Sequence, residues 1–219
     1  MRIIEPRAEI LGVLDGRSIL QHIEQCGRVC YKSEDKITDD SAEKFVRNII
    51  LRGHESVLEH AGFSVRFIVD RGVSHELVRH RLASYSQEST RYCNYSGDKF
   101  GNEITVIEPC FAKPGTDSRY YWELACEYAE KTYFRLLDHG CLPQEARSVL
   151  PSSLKTEVVM TANLREWRYF FRLRTAPDVH PQMREVTIPL LCRLQALIPV
   201  VFDDIKLPAE AWRYGLEKR

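Results

Sequence analysis

The clearest hydrophobic pattern in the chain is an alternation between residues 63 and 69. Every second side chain in this segment is large and apolar, at Phe63, Val65, Phe67 and Val69. Successive side chains of a strand point to opposite faces, so this pattern predicts a strand with one face in the core. Shorter apolar runs predict further strands over residues 8–14, 104–107 and 154–162.

Apolar side chains at helical spacing occupy much of the remaining chain. Most of these segments follow a residue that can cap a helix, namely Ser18, Ser41, Ser74, Asp117 or Ser118, and Asn163. The predicted helices cover residues 18–31, 41–52, 74–81, 117–139, 144–149, 164–173 and 182–202. The longest well-marked helix is predicted to bury a stripe of Tyr121, Ala125, Tyr128, Ala129, Thr132 and Leu136. Neither a repeat nor a linker interrupts this order, which predicts a single α+β domain over residues 1–219.

The helix predicted over residues 164–173 has two distinct faces. One face carries Leu164, Trp167 and Phe171, and the other carries Arg165, Arg168 and Arg172. At about 100° per residue, Arg174 falls on the apolar side. A charge there is costly unless it is paired, which favours Arg174 as an arginine that points into a site. An arginine that extends from a helix end to water is an equally good interpretation of the spacing.

The composition is that of a globular protein with balanced charge. Hydrophobic residues make up 44% of the 219 residues, and 31 Lys and Arg residues balance 31 Asp and Glu residues. A bulk nucleic-acid or membrane-surface binder usually has a basic excess, so the sequence predicts neither partner. The charged N-terminal residues are unlike a signal peptide, and no apolar run approaches the roughly 18 residues that span a bilayer.

The cysteines and histidines offer weak candidates for chemistry. Seven cysteines without a Cys-x-x-Cys pair predict reduced thiols in a cytoplasmic protein. Cys110, in Glu-Pro-Cys-Phe, could be a nucleophile, but no neighbouring base is identifiable, which favours a structural role. Residues 54–60 contain two histidines and two glutamates, but their spacing is not His-Glu-x-x-His. Polar groups of a turn are therefore favoured over a zinc site, and no metal is predicted.

The segment of residues 79–92, Arg-His-Arg-Leu-Ala-Ser-Tyr-Ser-Gln-Glu-Ser-Thr-Arg-Tyr, has a more distinct chemistry. Its arginines lie on either side of a run of hydroxyl and amide side chains. Arginine pairs with phosphate in a bidentate way, and Ser, Thr and Gln provide orienting donors and acceptors. The segment is predicted to leave a helix C-terminus as a loop that binds an anion and a polar ring. A solvated basic turn is the alternative, because the helix dipole also favours arginine at this end.

Other catalytic patterns are missing from the sequence. It shows no Ser-His-Asp arrangement that can be placed, no glycine-rich phosphate loop and no pair of carboxylates. Further arginines at positions 147, 165 and 174 add to those of the loop. Many cationic groups without an evident nucleophile favour an enzyme whose cofactor performs the chemistry.

The loop resembles the signature of the flavin-dependent thymidylate synthases, which is Arg79-His80-Arg81, seven residues, and then Ser89. Further blocks resemble the same family in the same order. They are Gly53-His54-Glu55-Ser56 with Glu59-His60, Arg147 with Leu150-Pro151, Asn163-Leu164-Arg165 with Arg172-Leu173-Arg174, and His180-Pro181-Gln182-Met183-Arg184. On these blocks, from residue 53 to residue 184, the chain is identified as a member of that family.

The resemblance implies both a fold and a reaction. The fold is an α+β domain in which a mixed or antiparallel sheet packs against long helices. The reaction converts dUMP to dTMP with carbon from 5,10-methylenetetrahydrofolate and with hydride from NADPH through FAD. It requires no cysteine nucleophile, which agrees with the absence of an identifiable activated cysteine. The family is typically a homotetramer with active sites shared between subunits.

The resemblance also assigns residues to the nucleotide. Positions that match the family's dUMP contacts are Glu76, Arg79, Gln87, Glu88, Ser89, Thr90, Arg91, Arg147 and Arg174. Arg91 and Arg147 both suit the phosphate, and the sequence does not decide between them. Arg174 matches the catalytic arginine that polarises the uracil ring and favours ionisation at N3. Ser89 is assigned to binding, because a serine without an adjacent base is a poor nucleophile.

A second set of positions matches the family's flavin contacts. They are His54, Ser56, Arg79, His80, Arg81, Gln87, Asn163, Arg165 and Tyr169. Tyr169 departs from the family, in which many members carry Asn or His at this position. A tyrosine can still donate a hydrogen bond, but it is larger and reaches further.

Three alternatives remain open from the sequence. A non-catalytic nucleotide or RNA-binding module could use the arginine loop, although such a module would need a broad basic face. A zinc hydrolase could use His54, His60, His75 and His80. A member of the family could also hold flavin without turning over, but every arginine that can be matched is present.

Overall fold

The computed structural model describes residues 1–97, 100–209 and 211–214, leaving aside the side chains of residues 212 and 213. The strands are β1 (Arg2–Ile4), β2 (Arg7–Leu11), β3 (Gly62–Asp70), β4 (Ala83–Gln87), β5 (Thr105–Ile107) and β6 (Lys155–Asn163). The α-helices are α1 (Gly16–Val29), α2 (Ser41–Leu51), α3 (Arg71–Leu77), α4 (Asp117–Asp138), α5 (Pro143–Ala146), α6 (Leu164–Arg174) and α7 (Pro181–Leu197). Short 3-10 helices cover Glu34–Lys36, Glu55–His60, Arg147–Val149 and Ala211–Tyr214.

The strands pair in two sheets. Strands β1 and β5 are parallel, with Arg2 opposite Thr105 and Ile4 opposite Ile107. The remaining strands form a four-stranded sheet in the order β2-β3-β6-β4. The central strands β3 and β6 are those with the clearest apolar patterns, and both predictions are confirmed. The α+β class predicted from the sequence is confirmed as well.

Strand β4 corrects the prediction of a loop after residue 81. Residues 83–87 form an edge strand of the four-stranded sheet. Exposure alternates along it, with Ala83, Tyr85 and Gln87 half-buried and Ser84 and Ser86 exposed. A polar segment adopts strand geometry here because pairing with a neighbouring strand satisfies its backbone groups.

Two helices begin earlier than the sequence predicts. Asp15 caps α1 by accepting the backbone N–H of Arg17, and Asp70 caps α3 by accepting that of Val73 at 2.7 Å. An acidic cap also gains from the positive end of the helix dipole, which an uncharged serine does not. Helix α3 consequently ends at Leu77, so residues 79–81 lie beyond the helix.

The chain divides into two compact units. The first unit comprises Met1–Arg7, Phe67–Arg79 and Ser86–Val158, and the second comprises Ala8–Arg66, His80–Tyr85 and Val159–Arg219. The division concerns compactness and does not test whether residues 1–219 act as one domain, which stays a prediction.

The core of the first unit includes the inner face of α4. Cys126 and Tyr133 of this helix are buried, and the Tyr133 ring meets Tyr95 edge-on at 5.7 Å. The stripe predicted for this helix is wrong, because Tyr121 and Tyr128 are 65% and 69% exposed. The helix carries large side chains on more than one face, so their spacing alone does not select the buried one.

The core of the second unit is built on α6. The Trp167 ring stacks on Phe63 of β3 at 4.9 Å, and its Nε1 donates to the Phe63 carbonyl at 3.2 Å. Asn163 caps the helix, since its Oδ1 accepts the backbone N–H of Glu166 at 2.9 Å. The predicted cap and apolar face of α6 are thus confirmed, and the helix is held in a fixed orientation within its unit.

Candidate active site

In the first unit, polar side chains hold the last residue of β4 and the residue that follows it. The Nε2 atom of Gln87 donates to Ser74 Oγ at 3.0 Å and to Thr156 Oγ1 at 3.3 Å. Both hydroxyl residues are fully buried. The carboxylate of Glu88 accepts from Lys155 Nζ at 2.9 Å. Buried hydroxyls therefore fix the Gln87 amide, and a lysine compensates the negative charge of Glu88.

The same segment brings together the two arginines predicted to meet a phosphate. Arg147 donates from Nη1 to Thr90 Oγ1 at 3.4 Å, and Arg91 donates from Nε to Gln144 Oε1 at 3.1 Å. Thr90 is buried, whereas both arginines are exposed. A guanidinium has more N–H donors than one such bond uses, so each arginine can still bind an anion.

The other nucleotide positions of the first unit lie at the surface or partly within it. Arg79 is exposed and Glu76 is half-buried, and the Arg79 backbone N–H donates to the Glu76 carbonyl at 3.4 Å. The Ser89 Oγ accepts the backbone N–H of Arg91 at 3.3 Å. This last bond ties the serine into a turn, which agrees with its assignment to binding.

In the second unit, His80 and Arg174 form a close contact. Arg174 donates from Nε to His80 Nε2 at 2.9 Å, and only 2% of the His80 side chain is exposed. The Phe170 ring meets the imidazole edge-on at 4.9 Å. Thr187 of α7 donates to the Arg174 carbonyl at 3.0 Å. Arg174 is thus held at the end of α6 by its backbone and by its side chain.

The protonation state of His80 follows from these neighbours. Burial and the positive charge of Arg174 lower the pKa of His80 to about 4, so the ring is neutral near pH 7. A guanidinium only donates, so Nε2 must be the unprotonated nitrogen and the ring proton lies on Nδ1. Glu166 Oε1 lies 3.3 Å from that Nδ1.

Glu166 is a site residue that the sequence analysis does not single out. Only 11% of its side chain is exposed, and burial raises the pKa of its carboxyl to about 7. A glutamate three residues after a helix cap is usually explained by the helix start alone. The spacing of eight residues to Arg174 puts both side chains on one side of α6, which is the signal that could have identified it.

The positions assigned to flavin in the second unit are mostly exposed. His54 and Ser56 line an open cavity of about 740 Å³, to which Arg28, Lys36 and Arg52 also contribute. Arg165 is exposed and pairs with Glu59 at 2.6 Å, and Tyr169 is 55% exposed. Arg81 donates from Nη1 to the His80 carbonyl at 2.9 Å. Hydroxyl, amide and cationic groups of this kind suit a polar, anionic ligand.

Arg168 corrects the predicted polar face of α6. Its side chain is fully buried, pairing with Glu55 at 3.0 Å and with Asp204 at 2.7 Å, and it also donates to the Val201 carbonyl. The position lies four residues after Leu164 and one after Trp167, within the apolar stripe. That spacing marks Arg168 as buried, but the acidic partners are too distant in the sequence to be foreseen.

The described ranges provide neither a cluster of metal ligands nor a helix that could span a membrane. No group of three or more His, Cys, Asp and Glu residues there could hold a metal ion. Among the helices of these ranges, none combines the length and the apolar character needed to cross a bilayer. All seven cysteines are present as thiols.

Comparison with solved structures identifies the fold. The UMP/dUMP methylase PolB from Streptomyces cacaoi, bound with 5-Br dUMP, matches with a TM-score of 0.75 and covers 97% of each chain at 22% identity. The same enzyme bound with 5-Br UMP matches with a TM-score of 0.73 over 93% of this chain and 95% of the other. The two proteins therefore share an α+β fold.

Sequence comparison identifies the family. The family described as "Thymidylate synthase complementing protein" matches residues 16–200. The flavin-dependent thymidylate synthase of Mycolicibacterium gilvum is 35% identical over 217 residues, which cover 90% of this chain and 83% of the relative. That of Geobacter sulfurreducens is 32% identical over 201 residues, or 85% of each chain. The chain belongs to the flavin-dependent thymidylate synthase family, which confirms the resemblance of its motifs and makes it an enzyme of this class.

Proposed function

We propose that the protein methylates dUMP to dTMP, with 5,10-methylenetetrahydrofolate as carbon donor and NADPH as the source of hydride through FAD. Its membership of the flavin-dependent family supports this reaction class. The observation that carries the proposal is the segment of residues 87–91, where Arg91 and Arg147 lie exposed beside fixed amide and hydroxyl groups. Paired guanidinium groups next to polar donors match a nucleotide monophosphate, which has an anionic end and a polar ring.

The residues proposed to bind dUMP can be grouped by the part of the nucleotide that each one contacts. Arg91 and Arg147 bind the phosphate as bidentate donors. Arg174 polarises the uracil ring and stabilises the negative charge that develops at N3, so no cysteine nucleophile is needed. The remaining contacts orient the nucleotide and come from Glu76, Arg79, Gln87, Glu88, Ser89 and Thr90.

The second unit provides groups that fit a flavin dinucleotide. The cavity beside His54 and Ser56 has cationic walls at Arg28, Lys36 and Arg52, and a pyrophosphate requires such charges. The residues of this unit that would hold FAD are His54, Ser56, His80, Arg81, Asn163, Arg165 and Tyr169. When bound, FAD supplies the hydride that completes the methyl group. The exposed hydroxyl of Tyr169 can donate where other members use Asn or His.

We also propose that the protein associates with copies of itself. Helix α4 exposes Tyr120, Tyr121, Leu124 and Tyr128, at 61%, 65%, 49% and 69%. An exposed apolar and aromatic face of this kind is typical of protein interfaces. This face supports self-association, and we propose a cytoplasmic homotetramer with shared active sites that binds small molecules and not nucleic acid.

A visible absorption spectrum of the purified protein tests the proposed function. We expect flavin bands that bleach when NADPH is added under nitrogen with dUMP present. Adding methylenetetrahydrofolate should then yield dTMP, which chromatography measures. A colourless protein that takes up no added FAD would overturn the proposal and leave a phosphate-binding module.

Replacement of Cys110 by alanine should leave dTMP formation within about twofold of the wild-type rate. The reason is that the proposed reaction uses Arg174, and not a thiolate, to activate the uracil ring. Cys110→Ser provides the matched control of nearly equal size. The rate, the flavin content and the circular dichroism of each variant are compared, and loss of the rate with folding intact would restore a cysteine mechanism.

A further inference from the structure

Three side chains of the second unit lie in a row. Arg174 Nε is 2.9 Å from His80 Nε2, and on the other side of the ring His80 Nδ1 is 3.3 Å from Glu166 Oε1. The imidazole therefore separates a guanidinium from a carboxyl group. Both His80 and Glu166 are largely removed from water, with 2% and 11% of their side chains exposed.

Two polar atoms of this row face each other without a hydrogen-bond partner among the described residues. In the ranges that the structure describes, neither His80 Nδ1 nor Glu166 Oε1 makes a hydrogen bond of ordinary geometry. Their separation of 3.3 Å is slightly long for such a bond, and a small rotation of either side chain would form one. Buried polar atoms left without a partner cost free energy, so two that face each other are expected to pair.

The backbone around His80 keeps the ring in place. Tyr85 donates from its hydroxyl to the His80 carbonyl at 3.1 Å, and Arg81 donates to the same oxygen at 2.9 Å. Phe170 covers the ring edge-on at 4.9 Å. Because these contacts restrict the imidazole, its two nitrogens stay directed at Arg174 and at Glu166.

We propose that Glu166 is a positioning residue, which accepts the Nδ1 proton of His80 and thereby presents the Nε2 lone pair to the guanidinium of Arg174. The inference rests on the proposed function, since Arg174 is there the residue that acts on the uracil ring. With the proton on Nε2 instead, two N–H groups would face each other and push Arg174 away. Glu166 thus sets the orientation of Arg174 through the histidine that lies between them.

The ordinary roles of an acidic residue in a first helical turn do not account for this placement. Asn163 Oδ1 already accepts the backbone N–H of Glu166 at 2.9 Å, which satisfies the helix start. An interaction with the helix dipole needs no burial, because it is available to an exposed carboxylate. Burying the carboxyl instead raises its pKa to about 7, and that cost is offset only if a partner such as His80 is gained.

The arrangement predicts a pH dependence with a definite sign. The carboxylate form of Glu166 is the better acceptor, and it prevails above a pKa of about 7. Among the described residues, the charged and titratable groups that face this site include His80, Arg81, Tyr85, Tyr169 and Arg174. Burial raises the pKa of Tyr85 to about 12 and lowers that of His80 to about 4. Of Glu166, His80 and Tyr85, it is Glu166 whose pKa lies between pH 6 and pH 8.

Kinetics of Glu166→Gln at several pH values test the proposal. We expect the wild-type rate of dTMP formation to fall as the pH drops through about 7, and the variant to lack this limb. At about pH 8 the variant should be about tenfold slower, the lower end of what loss of a partner that orients a histidine costs at metal sites. Glu166→Asp keeps the carboxylate and should restore the pH limb in part. Glu43→Gln removes a surface carboxylate with 58% of its side chain exposed, and it should match the wild type at every pH.

The outcomes separate this inference from the proposed function. A wild-type enzyme that makes dTMP, together with a Glu166→Gln variant of unchanged rate and unchanged pH profile, would overturn the role of Glu166 alone. A wild-type enzyme that makes no dTMP would overturn the proposed function, and the tautomer of His80 would then decide the inference by itself.

That tautomer can be measured without any turnover. Protein labelled with nitrogen-15 in its histidine rings gives separate signals for protonated and unprotonated nitrogens, and the signal missing from His80→Gln identifies His80. We expect the proton on Nδ1 in the wild type and a mixture of both tautomers in Glu166→Gln. A wild-type ring protonated on Nε2 would contradict the proposal even if the variant failed to fold.

Discussion

Arg174→Ala should abolish dTMP formation, with a fall in rate of about 100-fold or more, while flavin content and NADPH oxidation largely survive. The magnitude is that of removing one group which stabilises a developing negative charge in an active site. Arg174 suits this role because its side chain is held by His80 at 2.9 Å and its backbone by Thr187 at 3.0 Å. A charge that is already in place needs no reorganisation when the uracil ring ionises.

Two further variants test whether the loss of activity is specific to the guanidinium of Arg174. Arg172→Ala removes a neighbouring arginine of the same helix, with 46% of its side chain exposed, and should keep its rate. Arg174→Lys retains the charge but loses the planar fork, so it should recover only a small part of the activity. Near-normal dTMP formation by Arg174→Ala, measured by chromatography at saturating FAD, would remove Arg174 from the mechanism.

Local patterns were sufficient for the elements in which one signal dominates. Strand β3 was predicted by its alternation, and α6 was predicted by Asn163 followed by an apolar stripe. In both cases burial of the apolar face and the local backbone preference favour the same structure. At α1 the prediction of Ser18 as the cap is wrong, because Asp15, three residues earlier, caps the helix.

Strand β4 shows where a polar segment misleads. Hydroxyl and amide side chains are common in loops, so residues 83–87 were predicted as one. Their backbone groups are instead paired at the edge of the four-stranded sheet, and such pairing depends on strands far away in the sequence. The alternation of the larger Tyr85 and Gln87 with the smaller Ser84 and Ser86 was the local sign.

The candidate site likewise contains residues that the sequence predicts and residues that it does not. Arg91 and Arg147 could be proposed from the sequence because a cationic loop and a family motif mark them directly. The close contact of His80 with Arg174 could not, since these residues are 94 positions apart. Glu166 has no motif at all, and its importance follows from burial and from a distance to His80 that only the fold provides.

Replacement of Arg168 by alanine should lower the free energy of unfolding by about 3 kcal/mol or more, without any direct effect on the uracil chemistry. Removing one member of a buried ion pair leaves its partners uncompensated, which is the reason for the large cost. Arg168 is fully buried, and it pairs with Glu55 at 3.0 Å and with Asp204 at 2.7 Å. Urea unfolding, at equal protein concentration and with the flavin removed, measures the change.

Arg172→Ala is the matched control, because Arg172 reaches the same two carboxylates from the surface. It lies 3.3 Å from Glu55 and 3.0 Å from Asp204, with 46% of its side chain exposed. An exposed pair of this kind contributes at most about 1 kcal/mol, so this variant should unfold at nearly the wild-type urea concentration. Equal losses from the two variants would mean that the acidic groups, and not the burial of Arg168, determine the stability of the cluster. Unequal losses, with the larger one for Arg168→Ala, would show that this arginine of the apolar stripe is a structural residue.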